Sequence, residues 1–233
     1  METPLLYGIV EEGLHRSKVP DVSNFPFLDT LKIRTFLYLS CDALIKEVDD
    51  AFTLRQIKVI DLGKKHWRPH PEWKEVSEDF IKEALEVLID SSNYPILVSC
   101  NTGIYVSGVI CGCLRRLMHW NLFSAIQEYR LYAQQRKRLA DEQKIEFFDC
   151  DNINLPKAPP TWLTTYVDMM REEVATARDG KGYEGYDNVP EESKEVAVEL
   201  ANAFFNPNCR LISKHADMKK LEPWIIDEED DEL

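Results

Sequence analysis

One stretch constrains this chain more than any other: Asn93-Tyr-Pro-Ile-Leu-Val-Ser-Cys-Asn-Thr-Gly-Ile-Tyr-Val-Ser-Gly-Val-Ile-Cys-Gly-Cys-Leu-Arg-Arg-Leu117. Ile96, Leu97 and Val98, launched by Pro95, read as a buried strand that runs into Cys100. A short loop with Gly103 follows, and Ser107-Gly108 opens an apolar helix. A strand, loop and helix joined this tightly aim backbone N–H groups into one small concavity, with the positive end of the helix dipole behind it. Such a seat favours a thiolate, so Cys100 is a candidate nucleophile.

The surrounding sequence supplies a sheet to carry that loop. Ile33 to Leu39 is rich in β-formers and Ile57 to Ile60 is a second candidate strand. Between the latter and the Cys100 strand, Val76, Phe80, Ile81, Ala84, Leu85 and Leu88 recur at helical spacing and predict an amphipathic helix. Strands alternating with helices imply an α/β domain with a mostly parallel central sheet flanked by helices. After Cys100 only helices are expected: Val109 to Met118, Leu122 to Ala133 and Asp141 to Phe148. Breakers fill Asn154 to Pro160, and helices over Thr161 to Arg178 and Glu191 to Phe205 are separated by a loop over Asp179 to Pro190. The organisation read from this is a domain over 1–150, a helical C-terminal extension over 151–226 and an acidic tail over 227–233.

Composition excludes several functions. With 28 Lys and Arg against 41 Asp and Glu, the chain carries a net charge of −13. A basic footprint for nucleic acid is absent, and an anionic membrane surface would repel it. No apolar run approaches the ~20 residues of a membrane span. Met1 to Gly13 lacks the basic and apolar regions of a secretory signal, so a cytoplasmic protein is expected. The closing Asp230-Asp231-Glu232-Leu233, similar to a retrieval signal, is then read as part of the acidic tail. Six cysteines read as free thiols and not as a disulfide framework.

The chain resembles the plant and fungal atypical dual-specificity phosphatases, which include inositol-pyrophosphate phosphatases and the fungal Oca proteins. Leu14-His15-Arg16-Ser17-x-x-Pro20 is similar to the family's opening motif, and Asn24-Phe-Pro-Phe-Leu-x-x-Leu-x-Ile-Arg-Thr35 to its next segment. Gly112-Cys-Leu-Arg-Arg-Leu-x-x-Trp120-Asn-Leu, Glu128-Tyr-Arg and Arg138-x-x-Asp141-x-Gln143-x-Ile145-Glu146 are similar to its distal helices. The resemblance spans about Tyr7 to Phe148 and implies the cysteine-phosphatase (dual-specificity) fold. It also implies a phosphate loop over Asn101, Thr102, Gly103, Ile104, Tyr105, Val106, Ser107 and Gly108, with Cys100 as the nucleophile.

The family signature, H-C-x-x-G-x-x-R-[ST]-G, is kept only in part. Cys100, Gly103, Ser107 and Gly108 match, but Ser99 stands at the His position and Val106 at the Arg position. Ile104 and Tyr105 replace the basic pair before that Arg. In a cysteine phosphatase the guanidinium grips two phosphoryl oxygens and follows them into the transition state. Phosphoryl transfer relies on positioning and charge stabilisation, and even one neutral oxyanion donor is worth ~10²–10³ in rate. No Lys or Arg lies between Cys100 and Leu114 to substitute, which leaves remote candidates such as Arg16 or Arg68.

A general acid is equally unassigned: Asp61, Glu72 and Glu75 are nominal candidates. His66 and His70 are separated by prolines that oppose a shared helix face, and Cys111 and Cys113 fall on opposite faces of a helix, so no metal is expected. Arg115, Arg116, Arg136, Lys137 and Arg138 are expected on solvated helix surface, paired with Glu and Asp. Trp67 and Trp73 are expected in packing or partner contacts, and Trp120, Tyr129, Tyr132 and Phe147 in the core of the helical layer.

The expectation is a pseudophosphatase with no cofactor, a non-catalytic subunit binding protein partners, other family members among them, in a cytoplasmic signalling complex. A phosphate ligand is in doubt on this reading. The alternatives are an active tyrosine or inositol-pyrophosphate phosphatase using Cys100, and a redox-sensitive thiol protein.

Overall fold

The computed structural model describes residues 1–67 and 76–165. A five-stranded sheet organises them, in the order β1-β2-β5-β3-β4. Strand β5 (Ile96–Cys100) is central, between β2 (Leu14–Lys18) and β3 (Thr35–Tyr38), and both pairings are parallel. β4 (Lys58–Asp61) extends the parallel set beside β3, while β1 (Gly8–Glu11) closes the other edge antiparallel to β2. Every residue of β5 is buried, because a strand covered on both faces has no solvent side.

Alternation along the strands sorts two cores. Leu14, Ile96, Val98 and Cys100 face one layer with α4 (Glu78–Leu88), α5 (Tyr105–Leu117), α6 (Leu122–Ala133) and α7 (Leu139–Glu146). Phe36, Tyr38 and Leu97 face the other, packed with Phe25 and Leu28 of α1 (Phe25–Leu31) and Val48 and Phe52 of α2 (Lys46–Leu54). A short α3 (Leu62–His66) follows β4. No helix among the described residues is long and apolar enough to cross a membrane.

The elements predicted within the described residues are present, most with shifted ends. The Leu122–Ala133 helix matches α6. α4 starts at Glu78 because Ser77 caps it, its hydroxyl accepting from the Phe80 N–H at 3.2 Å. α5 begins at Tyr105, two residues before Ser107. α7 runs Leu139–Glu146 instead of Asp141 to Phe148.

Two strands and three helices, α1, α2 and the five-residue α3, went unread. The sequence Leu-His-Arg-Ser-Lys of β2 alternates no apolar face, yet Leu14 to Ser17 are all buried, since β2 lies inside the sheet. β1 is four residues long with a register shift, too short for a periodic signal. In α1 and α2 the buried apolar positions number only two each.

The link over Asn154 to Pro160 has no regular structure, and Asn154 donates to Glu86 of α4 at 2.7 Å. Beyond it residues 161–165 are helical, and Leu163 is buried in the larger core. The rest of the expected Thr161 to Arg178 helix, the Glu191 to Phe205 helix and the acidic tail lie outside the described residues.

Candidate active-site loop

β5 delivers Cys100 to the carboxyl end of the central strand, and the chain turns at once into α5. Gly103 makes the turn possible: its φ is +69°, and a Cβ there would sit 2.6 Å from the backbone nitrogen of Lys18. Gly108 opens the first turns of α5 to the Tyr129 ring, which a Cβ would approach to 2.8 Å. These two matching glycines are therefore required by close approach.

The thiol keeps polar company. Cys100 Sγ lies 3.2 Å from Ser107 Oγ and 3.7 Å from Thr102 Oγ1, with the cysteine 2% exposed. Thr102 Oγ1 also accepts from the N–H of Ile104 at 3.2 Å and of Tyr105 at 3.5 Å. Two of the loop amides are thus already engaged by a side chain of the loop itself.

On the β3 side the loop is pinned through Asn101. Its N–H donates to Ser40 Oγ at 2.9 Å, the Tyr38 hydroxyl donates to its Oδ1 at 2.5 Å, and its Nδ2 donates to Asp42. Burial, with Asp42 close by, pushes Tyr38 up to about 12. Ser99, at the family's His position, is fully buried and shares a hydrogen bond of 3.1 Å with Ser17 Oγ on the neighbouring strand.

On the helix side the signature position is hydrocarbon. Val106 is 2% exposed and Ile104 fully buried, and both pack into the larger core cluster. Arg16, the remote candidate within the described residues, reaches the loop from beneath. It is fully buried on β2, donates from Nη2 to the Gly103 carbonyl at 3.2 Å and stacks 3.7 Å from the centroid of Tyr132. Among the described residues its Nε and Nη1 have no hydrogen-bond partner. Arg16 braces the loop backbone and makes no bond to Cys100.

Sequence reasoning missed the rim. Lys18 is paired in register with Cys100, and its backbone lies against Gly103. Arg138, at the start of α7, stacks 3.3 Å above the ring of Tyr105. Its position is set through Tyr129, whose hydroxyl donates to Asp141 at 2.9 Å and accepts from the Arg138 N–H at 3.1 Å. The motif Arg138-x-x-Asp141 carried this signal, since both residues meet the same tyrosine.

Other expected residues sort differently. Asp61 caps α3, its carboxylate accepting from the Lys64 N–H at 2.8 Å. Glu72, Glu75, Arg68, His70 and Trp73 lie outside the described residues. His66 Nε2 is 2.7 Å from Glu83. Arg115 is not on solvated surface: it is 5% exposed, ion-paired with Glu11 and with Glu128, the latter at 2.6 Å, because α5 is enclosed by its neighbours. Trp120 and Phe147 are 37% and 76% exposed and so lie outside the core, whereas Tyr129 is buried. Cys111 and Cys113 are buried in the core, where burial pushes both thiols up.

A parallel sheet whose central strand ends on a cysteine, followed by a glycine-turned loop and a helix carrying Ser107, defines a protein of the cysteine-phosphatase fold. The family description "Tyrosine phosphatase family" matches residues 2–166. The chain belongs to that family, within its Oca-like atypical group. It is 37% identical over 161 residues to the "Probable tyrosine-protein phosphatase DG1060" of Dictyostelium discoideum, covering 69% of this chain and 95% of that one. The "Inositol diphosphatase DSP4" of Arabidopsis thaliana is 32% identical over 151 residues, covering 64% of this chain and 75% of its own length. Among solved structures, the core catalytic domain of the PP-IP phosphatase SIW14 from S. cerevisiae superposes with a TM-score of 0.58 at 30% identity, covering 64% of this chain and 88% of that one.

Proposed function

We propose that this chain is a non-catalytic member of its family, a cytoplasmic protein-binding subunit that keeps the phosphatase fold without phosphate-ester hydrolysis. The observation that carries this reading is Val106, buried in hydrocarbon at the position of the signature arginine. A valine side chain donates nothing to a phosphoryl oxygen. The loss of a bidentate cation removes more transition-state stabilisation than the ~10²–10³ ascribed to one neutral donor. Turnover of p-nitrophenyl phosphate tests the reading. The expected result is no hydrolysis above that of Cys100→Ala, and hydrolysis by the native chain that vanishes in Cys100→Ala overturns it. Val106→Arg is expected to restore oxyanion binding, read as saturable tungstate binding.

A second reading, an active cysteine phosphatase, draws on a different observation. Ser107 Oγ remains 3.2 Å from Cys100 Sγ, placed to stabilise a sulfur anion as a leaving group. Relatives bearing the names tyrosine-protein phosphatase and inositol diphosphatase support it. On this reading Cys100 Sγ attacks phosphorus, the ester oxygen leaves with a proton from an acid, and water later cleaves the S–P bond.

A further inference from the structure

We propose that the mouth of the Cys100 to Gly108 loop docks a carboxylate-rich segment of a partner protein, held by Lys18 and Arg138 above the buried charge of Arg16. The inference rests on the non-catalytic reading and names the partner chemistry of the same site. Its first support is Arg16, fully buried, with two guanidinium nitrogens lacking partners and its third on the loop's own Gly103 carbonyl. Among the described residues no carboxylate pairs with it. A buried cation without a counter-charge is costly, and an anion brought to the loop offsets that cost.

The second support is the rim. Lys18 at Gly103 and Arg138 on Tyr105 flank the same loop, and among the described residues neither forms an ion pair. Other described cations such as Lys32 and Lys46 likewise form no ion pair, so the feature of the rim is that two such cations meet at one loop above a third, buried one. In a chain of net charge −13, a local group of unmatched cations steers an anionic segment to one place.

The loop chemistry favours carboxylates over a phosphoryl group. The N–H groups of Ile104 and Tyr105 are engaged by Thr102, and Val106 offers no fork, so the encircling donor set for a phosphoryl group is incomplete. Separate cations at the rim suit carboxylates spaced along a peptide, with Arg138 able to take one in a planar pair. Asp42, held on the Asn101 side, repels such a segment there and directs it toward α5 and α7.

The test uses the full chain and fluorescence anisotropy with a short labelled peptide of alternating Asp and Glu. Saturable binding is expected, with none to the matched Asn and Gln peptide. The double variant Lys18→Gln, Arg138→Gln weakens binding about ten-fold or more, whereas Lys46→Gln on α2 leaves it unchanged. Equal binding by the double variant, or no binding by the native chain, overturns the proposal. So does binding of inorganic phosphate without the acidic peptide. Phosphatase turnover measured on the same samples separates the two claims: Cys100-dependent hydrolysis removes the non-catalytic reading, while the peptide isotherm alone judges the docking site.

Discussion

The two sides of the Cys100 loop are built on opposite terms. Toward β3, Asn101 is held at three atoms: its N–H donates to Ser40 Oγ, its Oδ1 accepts from the Tyr38 hydroxyl and its Nδ2 donates to Asp42. Toward α5, Ile104 and Val106 are hydrocarbon in the core, and the guanidinium of Arg16 beneath them has two unmatched nitrogens. The β3 side of the loop is tied by hydrogen bonds, while the α5 side places hydrocarbon at 104 and 106. The difference teaches that the shape of such a loop and the charge it presents are set by separate contacts, the first by hydrogen bonds to neighbouring strands and loops, the second by which side chains the packing brings near.

The largest effect that sharpens this comparison is at the hinge between the sides. Gly103→Ala forces a Cβ to 2.6 Å from the Lys18 nitrogen at a φ of +69°. The left-handed backbone alone costs about 1–2 kcal/mol and the overlap about 1–3 more. Thermal or urea unfolding should show a loss of that combined size, and a neutral result would mean that the loop relaxes freely.

Asn101→Ala comes next, since it removes the acceptor of the buried Tyr38 hydroxyl. A loss of about 1–3 kcal/mol is expected in denaturant unfolding. Arg16→Met tests the opposite side: removing a buried, unmatched charge for an apolar chain of similar length is expected to be neutral or stabilising by about 1 kcal/mol. A destabilisation as large as that of Asn101→Ala would show the two sides to be equivalent.

The alkaline limb of stability gives a smaller effect. Tyr38 titrates near 12 in the fold, above the ordinary 10 for tyrosine, chiefly through burial. The unfolded chain then loses its proton first as pH rises, so this contribution is full below pH 10 and is lost on the way to about 12. Tyr38→Phe should flatten that limb relative to the native chain in pH-dependent unfolding. The smallest expected signal is sulfenic-acid labelling of Cys100: at 2% exposure the thiol should react with peroxide and dimedone more slowly than the half-buried Cys41. Faster labelling at Cys100 would favour the redox-sensitive thiol.

The legible parts of this protein were those that repeat or concentrate a pattern. The run from Ile96 to Val98 and the helical spacing from Phe80 to Leu88 announce buried faces by periodicity, and both are core elements. β2 gave no such signal, since His15, Arg16 and Ser17 are polar; His15 meets nearby Tyr7, but Arg16 and Ser17 find their partners far away in sequence, at Gly103 and Ser99. Arg115 misled for the same reason: a basic residue near a helix end reads as surface until Glu11, 104 positions away, is found beside it. Trp120 misled in the other direction, being counted as core for its size although it is 37% exposed.

By itself the sequence determined that a cysteine would end a buried strand, that glycine would turn the loop behind it, and that Val106 would bring no charge. Those are properties of residue type and order, fixed before any long-range contact forms. Only the tertiary structure decided where the remaining cations went: Arg16 under the loop, Lys18 beside it through strand pairing, and Arg138 over Tyr105 through the anchor of Tyr129 on α6. Charges act through distance, and the distances between residues 16, 105 and 138 are set by the packing of β2, α5 and α7, which no local pattern encodes.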